Sequence, residues 1–451
     1  MPVRLIESLA TTEALDEVFA DVSVLEAMLA FEVALARAEA QAGVVPAEAA
    51  IAIAAAAKVE AFDIAELARQ TLRGGTPGIP LSKALTERVK ASEPAAAGFV
   101  HWGATSQDVA DTALVLLLKK SKGILETDLA RLETALLKLS EAHARTVMLG
   151  RTLSQPAPPV TFGLKAAGWL GAVRRSREDL EQSFSAALIV QFGGASGTLA
   201  SLGDRGVEVA RALAAELTLD LPEAPWHTQR DRLARLVCAC GVLCGSLGKM
   251  ARDVTLLMQG EVAEVAEPGG KGRGGSSTMP HKRNPVGCTV TLAAAQRVPG
   301  LISTFLGAMW QEQERGVGGW QSEWPVVAHV IQSTGLALAS MAEVAEGLTV
   351  DATRMRANID ATRGLIFAER AMMLLGANIG RDRAHQLLEE ATRRSIAEGK
   401  RLAETLISMP EVTNHLDAGT IKGLEVPEAY LGSAETFRRN LTEDCTGKEK
   451  D

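Results

Sequence analysis

The chain has 451 residues, of which 47% are hydrophobic, so it can bury a large core, and its length predicts about three domains. Aromatic residues make up only 4%, and the alanine and leucine that fill the apolar positions favour closely packed helices over a sheet sandwich. The formal net charge of −8, with no basic stripe, excludes nucleic acid as a predicted partner, and an anionic substrate must be held by local positive groups.

The sequence predicts a cytoplasmic protein without a membrane span. Its first residues, MPVRLIE, lack a charged-then-apolar signal region, and no stretch reaches the roughly 18 uninterrupted apolar residues of a span. Five cysteines, an odd number, do not indicate a disulfide framework. Cys238, Cys240 and Cys244 fall in an apolar helical stretch, so we expect small buried side chains and no metal site.

In chain order, residues 1–110 are predicted to form a domain of short helices, interrupted at Gly43–Pro46 and Gly74–Gly78. Residues 111–350 follow as a central domain of long helices, residues 351–440 as a C-terminal domain of short helices, and residues 441–451 as a charged tail predicted to be disordered.

Two apolar seams mark the long helices of the central segment. One seam repeats at spacings of four and three: Leu236, Cys240, Leu243, Leu247, Met250, Val254 and Leu257. The other is Leu125, Leu129, Leu132, Leu136 and Leu139. A helix over 232–267 would span about 50 Å. Such seams fit either the core of a bundle or an interface between subunits. Further helices are predicted from Val286, with Pro299 inside it, and over 326–348.

A first polar cluster lies in the segment HWGATSQD, which begins at His101. Thr105, Ser106 and Gln107 offer hydrogen-bond donors at a predicted helix start, where Asp108 is placed to cap backbone amides. Taken alone, the pattern is typical of an ordinary helix cap, although the same donors can also bind a carboxylate. His143 and His227 are predicted to be surface or packing residues.

A second cluster is the loop GSSTMPHKRNP at residues 275–285. Five glycines lie just before this loop or at its first position. Glycine permits backbone conformations closed to other residues, so the loop is predicted to act as a lid. Lys282 would ease deprotonation of Ser276, whose hydroxyl could then take a proton from carbon beside a carboxylate. Pro285 is placed to begin a helix, whose amides near Asn284 and Gly287 would favour an anion.

This loop resembles the signature loop of the fumarase/aspartase superfamily, which implies that Ser276 is the catalytic base and that Lys282 and Asn284 bind substrate carboxylates. The first cluster is similar to a second superfamily signature, in which the positions of Thr105, Ser106 and Gln107 bind a carboxylate. His101 falls where adenylosuccinate lyases carry a functional histidine. The resemblance implies a mainly α fold with three helical domains. Four chains would form a twenty-helix core, and each active site would combine residues from three subunits.

The chain departs from most of the superfamily at two linked positions. The segment GRTLSQPAPP has Leu153 where most relatives have histidine, and Thr289 stands where the glutamate that works with that histidine is expected. In the relatives this pair is thought to assist the leaving group. A carboxylate, with an ordinary pKa of about 4, leaves as an anion without a proton donor. Loss of both members is therefore tolerable for a reaction in which a carboxylate of the substrate is the attacking or leaving group.

Two further segments, APWHTQR at 224–230 and ERGVGGWQSEW at 314–324, resemble the carboxymuconate cycloisomerase branch. This resemblance implies cycloisomerisation of 3-carboxy-cis,cis-muconate by a cofactor-free homotetramer whose partner is a small polycarboxylate. Either Ser276 or Lys282 would deliver the proton. Gln155 and Arg315 would join the carboxylate-binding residues, although a structural salt bridge is an equal alternative for Arg315.

Three alternatives remain open from the sequence. The first is β-elimination by a lyase of the adenylosuccinate type, and the second is cycloisomerisation of a differently substituted muconate, such as a sulfonated one, because Leu153 leaves an apolar spot. The third is a noncatalytic helical structural protein. The combination of Ser276, Lys282 and Asn284 weighs against the third.

Overall fold

The structure is a computed structural model that describes residues 5–270, 274–275, 279 and 282–443. The described chain is mainly helical, as predicted. Its α-helices are α1 (Glu13–Val18), α2 (Asp21–Gln41), α3 (Ala47–Ala56), α4 (Ile64–Gly74), α5 (Gly78–Ser92), α6 (Ser106–Ala142), α7 (Phe162–Ala187), α8 (Gly206–Leu217), α9 (Asp231–Leu257), α10 (Val286–Ala308), α11 (Gly319–Gly347), α12 (Ala352–Asp360), α13 (Ala368–Ile379), α14 (Arg381–Glu398), α15 (Leu402–Ile407), α16 (Pro410–Thr413), α17 (Ala418–Gly423) and α18 (Ala434–Thr442).

Short strands accompany the helices. They are β1 (Val147–Thr152), β2 (Gln155–Thr161), β3 (Val265–Ala266) and β4 (Thr349–Val350). Strand β1 pairs antiparallel with β2, and β3 pairs antiparallel with β4. The tail from residue 441 was predicted to be disordered. Its residues from 444 onward lie outside the described part of the chain, and α18 continues into the tail as far as Thr442.

The chain divides into two compact units. Unit 1 comprises Met1–Ala130, Arg175–Gly248 and Val290–Ser340, and unit 2 comprises Arg131–Arg174, Lys249–Thr289 and Met341–Asp451. The units are not consecutive segments of sequence, because α6, α7, α9, α10 and α11 each contribute residues to both. The division into 1–110, 111–350 and 351–440 remains a prediction.

The two predicted seams are buried within the single chain. Every residue of the seam on α9 is at most 5% exposed, and every residue of the seam on α6 is at most 9% exposed. These side chains therefore form core of the chain itself. The tetrameric twenty-helix core remains a prediction.

The predicted helix over 232–267 is too long. Helix α9 ends at Leu257, and Ala263 has a φ of 49°, outside helical geometry. The chain then forms β3, and the side chain of Glu264 pairs with Arg151. These contacts between distant segments override the local helical pattern. Helix α11, in contrast, begins seven residues before the predicted start at Val326.

Helices α9 and α11 are long and apolar enough to cross a membrane by length and composition. In each helix, 61% of the most apolar window is buried inside the protein. The core helix of a globular protein has the same property, so these two helices are weak evidence for a membrane segment.

In unit 1, helix α2 packs against α3 and α8, and the predicted interruption between α4 and α5 brings the chain close to the start of α6. Gly75 ends α4 with a φ of 69°. A Cβ added to Gly78 would lie 2.7 Å from the Cα of Ser106, so only glycine permits this approach. The first predicted polar cluster is thus held against the start of α5.

In unit 2, β1 and β2 form a hairpin in which Thr152 pairs with Gln155. Leu153 and Ser154 form the two-residue turn with φ values of 49° and 63°, a combination typical of a type I′ turn. Such turns prefer Asn-Gly, and a leucine at this conformation is strained. Its side chain is 98% exposed.

Candidate active site

Asp108, fully buried near the start of α6, organises the first polar cluster. Its carboxylate accepts backbone N–H groups from Thr105 at 3.0 Å, Gly193 at 3.0 Å and Gly194 at 2.9 Å. The predicted capping role is confirmed. The carboxylate also holds the 193–194 backbone, which lies far away in sequence.

His227 is a further partner of Asp108. Its Nε2 lies 2.7 Å from Oδ1 of Asp108, and its side chain is 4% exposed. From the sequence, His227 was predicted to be a surface or packing residue. It is buried, with a carboxylate partner that the sequence did not reveal because Asp108 is 119 positions away.

Gln107 is fully buried in the same network. Its Nε2 donates to Asp111 at 3.1 Å and to the carbonyl oxygen of His227 at 2.8 Å, while its Oε1 accepts from Arg315 at 3.4 Å. Both ends of this amide therefore already have protein partners. The hydroxyls of Thr105 and Ser106 have none among the described residues and are only partly buried, so they remain open to a ligand.

Arg315 donates to the carbonyl oxygens of Gly194 at 3.3 Å and Ala195 at 2.8 Å. No carboxylate pairs with it in the part of the chain that the structure describes. The salt bridge considered as the alternative is therefore not formed within these residues. Carbonyl contacts orient the guanidinium without neutralising its charge, which leaves it able to attract an anion.

A buried ionic triad lies behind these groups. Arg230 is within 2.8 Å of Asp111 and 2.7 Å of Glu323, and all three side chains are 0% exposed. Burial alone would lower the pKa of Arg230, but the two carboxylates hold it above its ordinary value. Burial raises the pKa of Glu323 to about 7, although Arg230 opposes this rise. Trp226 stacks over the guanidinium at 4.7 Å.

The triad also receives neutral donors. Trp320 donates through Nε1 to Asp111 at 3.0 Å, and Gln311 donates to Glu323 at 2.6 Å. Since charged groups are rarely buried without partners, this network fixes the relative positions of α6, the 226–230 segment and the start of α11 within unit 1. No role was predicted from the sequence for Asp111, Arg230 or Glu323. Their long separations in sequence left no local signal.

His101 occupies the turn before α6, with a φ of 58° that is unusual for a residue other than glycine. Its Nδ1 lies 2.7 Å from Oε1 of Glu32 on α2, whose side chain is 1% exposed. Burial lowers the pKa of His101, but the charge and hydrogen bond of Glu32, together with the charge of Asp108, outweigh burial and raise it above its ordinary value.

Unit 2 carries the remaining described site residues. Lys282 is exposed and Asn284 is half-buried, and neither side chain has a hydrogen-bond partner among the described residues. The backbone N–H of Asn284 donates to the carbonyl oxygen of Gly274 at 2.9 Å, which joins the two ends of the signature loop. Ser276 lies outside the described residues.

The helix start beside Pro285 is confirmed, because α10 begins at Val286. The anion that the structure places at this end is the protein's own. The Glu267 carboxylate accepts the N–H groups of Gly287 at 3.0 Å and Cys288 at 2.8 Å, and Glu267 is 4% exposed. The expectation of a bound anion at Gly287 is therefore corrected: Glu267 uses this amide to anchor the end of the signature loop.

Gln155 is exposed next to the strained turn of the β1–β2 hairpin. Close to the turn, Arg151 on β1 forms a bidentate pair with buried Glu264 at 3.0 and 2.7 Å, and Asn358 donates to the same carboxylate at 2.7 Å. Glu264 immediately precedes β3. The hairpin is thus tied to the start of the segment that leads into the signature loop.

The structure brings His101, Thr105, Ser106, Gln107 and Arg315 into unit 1, and Gln155, Lys282 and Asn284 into unit 2. Within each set, the donors and cations that are open among the described residues suit a carboxylate.

Comparison with known proteins places this arrangement in a family. Residues 8–300 match the family model described as "Lyase", and residues 364–441 match one described as "Adenylosuccinate lyase C-terminus". The chain belongs to this lyase family. The superfamily resemblance read from the signature loop is confirmed.

Three members of the lyase family illustrate the similarity. The 3-carboxy-cis,cis-muconate cycloisomerase of Bradyrhizobium diazoefficiens is 49% identical, covering 92% of each chain. The crystal structure of the 3-carboxy-cis,cis-muconate lactonizing enzyme from Pseudomonas putida is 46% identical, covers 98% of each chain and has a TM-score of 0.92. The nitrosuccinate lyase of Streptomyces davaonensis is 43% identical, covering 92% of this chain and 89% of that protein.

Proposed function

We propose that the chain catalyses the cycloisomerisation of 3-carboxy-cis,cis-muconate to 4-carboxymuconolactone, in the protocatechuate branch of the β-ketoadipate pathway. The observation that carries this proposal is the 49% identity over 92% of each chain to a lyase-family relative named for this cycloisomerisation. The joint absence of the histidine and glutamate at Leu153 and Thr289 agrees with it.

The reaction balances without a cofactor. An oxygen of one substrate carboxylate bonds to a carbon of the carbon–carbon double bond, the π bond breaks, and the neighbouring carbon receives a proton. In reverse, a base removes a proton α to a carboxylate and the ring carboxylate leaves. Because that carboxylate is a stable anion, no second acid is required.

We assign the proton transfer to Ser276 and the stabilisation of the enolate-like intermediate to Lys282, or the two roles in exchange. The side chain of Lys282 is exposed and has no hydrogen-bond partner among the described residues, which supports a role toward an anion. Asn284 and Gln155 in unit 2, and His101, Thr105, Ser106, Gln107 and Arg315 in unit 1, would hold the substrate carboxylates. Gln107 would act mainly by orienting Arg315, to which it is bonded.

We also propose that the protein is a cytoplasmic homotetramer whose active sites are shared between subunits, and that it uses no cofactor and no metal. Within the described chain, no group of three or more His, Cys, Asp or Glu side chains could hold a metal ion. The partner is a small polycarboxylate.

The test is a spectrophotometric assay that follows the loss of diene absorbance of 3-carboxy-cis,cis-muconate. Ser276→Ala and Lys282→Ala should each reduce kcat by orders of magnitude while the oligomer, measured by light scattering, stays intact. Arg283→Ala is the matched control, since it removes the adjacent cation of the same loop and should retain activity. Near-normal activity of both the Ser276 and Lys282 variants would refute the site assignment.

A β-elimination lyase is the second candidate, and the 43% identical nitrosuccinate lyase favours keeping it. Adenylosuccinate, nitrosuccinate and a panel of substituted muconates, including a sulfonated one, should be offered beside carboxymuconate. The proposal requires the highest kcat/KM with 3-carboxy-cis,cis-muconate. A protein that turns over none of these substrates would instead fit a noncatalytic structural role.

A further inference from the structure

Helix α2 buries two glutamates one heptad apart, and they differ in their surroundings. Glu39 is 0% exposed, and neither of its carboxyl oxygens has a hydrogen-bond partner in the described chain. Burial, followed by the nearby charge of Glu32, raises the pKa of Glu39 to about 9, so this group is uncharged at neutral pH. Glu32, in contrast, has an imidazole 2.7 Å away.

The backbone at His101 adopts an unusual conformation beside this contact. A φ of 58° places the residue in a conformation that side-chain-bearing residues rarely adopt. A Cβ added to neighbouring Gly194 would lie 2.7 Å from the carbonyl oxygen of Gly103, so the 193–199 segment packs directly on this turn. Packing of the 193–199 segment therefore holds the strained turn in place, as surrounding structure commonly does for strained residues at functional sites.

Few charges surround the imidazole. Glu32 comes from α2 and Asp108 from α6, and both raise the pKa of His101 against the effect of burial. The packed segment 193–199 contains no ionisable residue. His227 donates to Asp108, and the guanidinium of Arg315 lies on the carbonyl oxygens of Gly194 and Ala195 in the packed segment. Two carboxylates thus act on the imidazole of His101.

We propose that Glu32 is a positioning residue that holds His101 as an imidazolium and directs its Nε2–H toward a carboxylate of the substrate. The inference rests on the proposed function for the identity of that carboxylate. Nδ1 is engaged by Glu32, while Nε2 has no partner among the described residues and the side chain is 18% exposed. Because one ring nitrogen is fixed, the other becomes a donor of fixed direction.

This role differs from that of the histidine–glutamate pair whose positions are Leu153 and Thr289 in this chain. That pair, where present, is thought to serve the leaving group. The Glu32–His101 pair would instead attract and orient an anion. It adds a charged donor to Arg315 within unit 1, where the hydroxyls of Thr105 and Ser106 are also open.

The decisive measurement is an NMR titration of the imidazole of His101 in the free enzyme labelled with ring-¹³C histidine, with the signal assigned by its loss in His101→Gln. The wild-type imidazole should titrate above the ordinary value of 6.5, and Glu32→Gln should lower its pKa. Glu39→Gln is the matched control on the same helix and should leave it unchanged. A wild-type value at or below 6.5, or equal shifts in the two variants, would overturn the proposal without requiring any activity.

Kinetics provide the second measurement. In Glu32→Gln, KM should rise about tenfold while kcat changes little, the loss expected for one charge-assisted hydrogen bond. The alkaline limb of kcat/KM should move to lower pH, because His101 would lose its proton earlier. Glu32→Asp, which keeps the charge, should restore both. If the wild-type protein does not convert carboxymuconate, the proposed function fails, and the NMR titration alone decides the role of Glu32.

Discussion

Polar residues near the start of α6 and polar residues of the signature loop serve different purposes. Around Asp108, Asp111 and Arg230 the charges are buried and paired with other side chains or with amides. At the signature loop, exposed Lys282 and half-buried Asn284 have side chains without hydrogen-bond partners in the described chain, and only their backbone is fixed. The first region specifies geometry. The second leaves its binding groups available to a ligand. Substitution of a buried, paired charge near the start of α6 should therefore affect folding, whereas substitution of Lys282 or Asn284 should affect activity.

The largest effect is expected at Arg230. Arg230→Met would leave Asp111 and Glu323 buried without their cation and should lower the free energy of unfolding by about 3–5 kcal/mol. Denaturant unfolding measures the change. Arg232→Met, which removes an arginine paired with exposed Glu223, is the control and should change the midpoint little. Equal midpoints for the two variants would show that the buried triad does not stabilise the fold.

A pH dependence of stability should follow from Glu39. Its folded pKa of about 9 exceeds the ordinary 4.5, so its contribution is fully present below pH 4.5 and is lost as pH rises toward 9. Thermal unfolding should therefore show stability falling across this range, and Glu39→Gln should flatten the slope. Glu48→Gln, at an exposed position on α3, is the control. The same slope in all three proteins would contradict the burial of an unpartnered acid.

Asn284→Ala should separate activity from stability in the open region. The backbone bond from Asn284 to Gly274 survives the substitution, so the unfolding midpoint should not move. Loss of the side-chain amide should raise KM about tenfold. Thr289→Ala is the control, because the Thr289 hydroxyl donates only to the carbonyl oxygen of Pro285 among described partners. If Asn284→Ala instead had a lowered unfolding midpoint and a normal KM, Asn284 would stabilise the fold rather than bind substrate.

The smallest effect is expected at the hairpin turn. Leu153→Asn should relieve the strain of a leucine at a φ of 49° and stabilise the protein by about 1 kcal/mol. If the exposed leucine contributes to the site, kcat/KM for carboxymuconate should fall at the same time. Ser154→Gly relaxes the adjacent residue and is the control. A destabilised Leu153→Asn variant would mean that contacts of the leucine side chain stabilise the turn.

Much of the fold was accessible from the sequence because it rests on local patterns. The heptad seams predicted α6 and α9, the glycine and proline interruptions predicted the ends of the short helices, and Pro285 predicted the start of α10. The failures occurred where distant contacts dominate. The 232–267 helix was predicted too long because nothing local announced that Glu264 pairs with Arg151.

The sequence by itself determined the helical class, the family and the residue types suited to carboxylates, because motifs and periodicity are written in neighbouring residues. Only the tertiary structure decided how those residues are used. It showed that Glu267 occupies the α10 amides, that Gln107 is held by the carbonyl oxygen of His227 and by Arg315, and that Glu32 faces His101. Each of these contacts joins segments 20 or more positions apart, or depends on which groups are removed from water, and no local pattern encodes either.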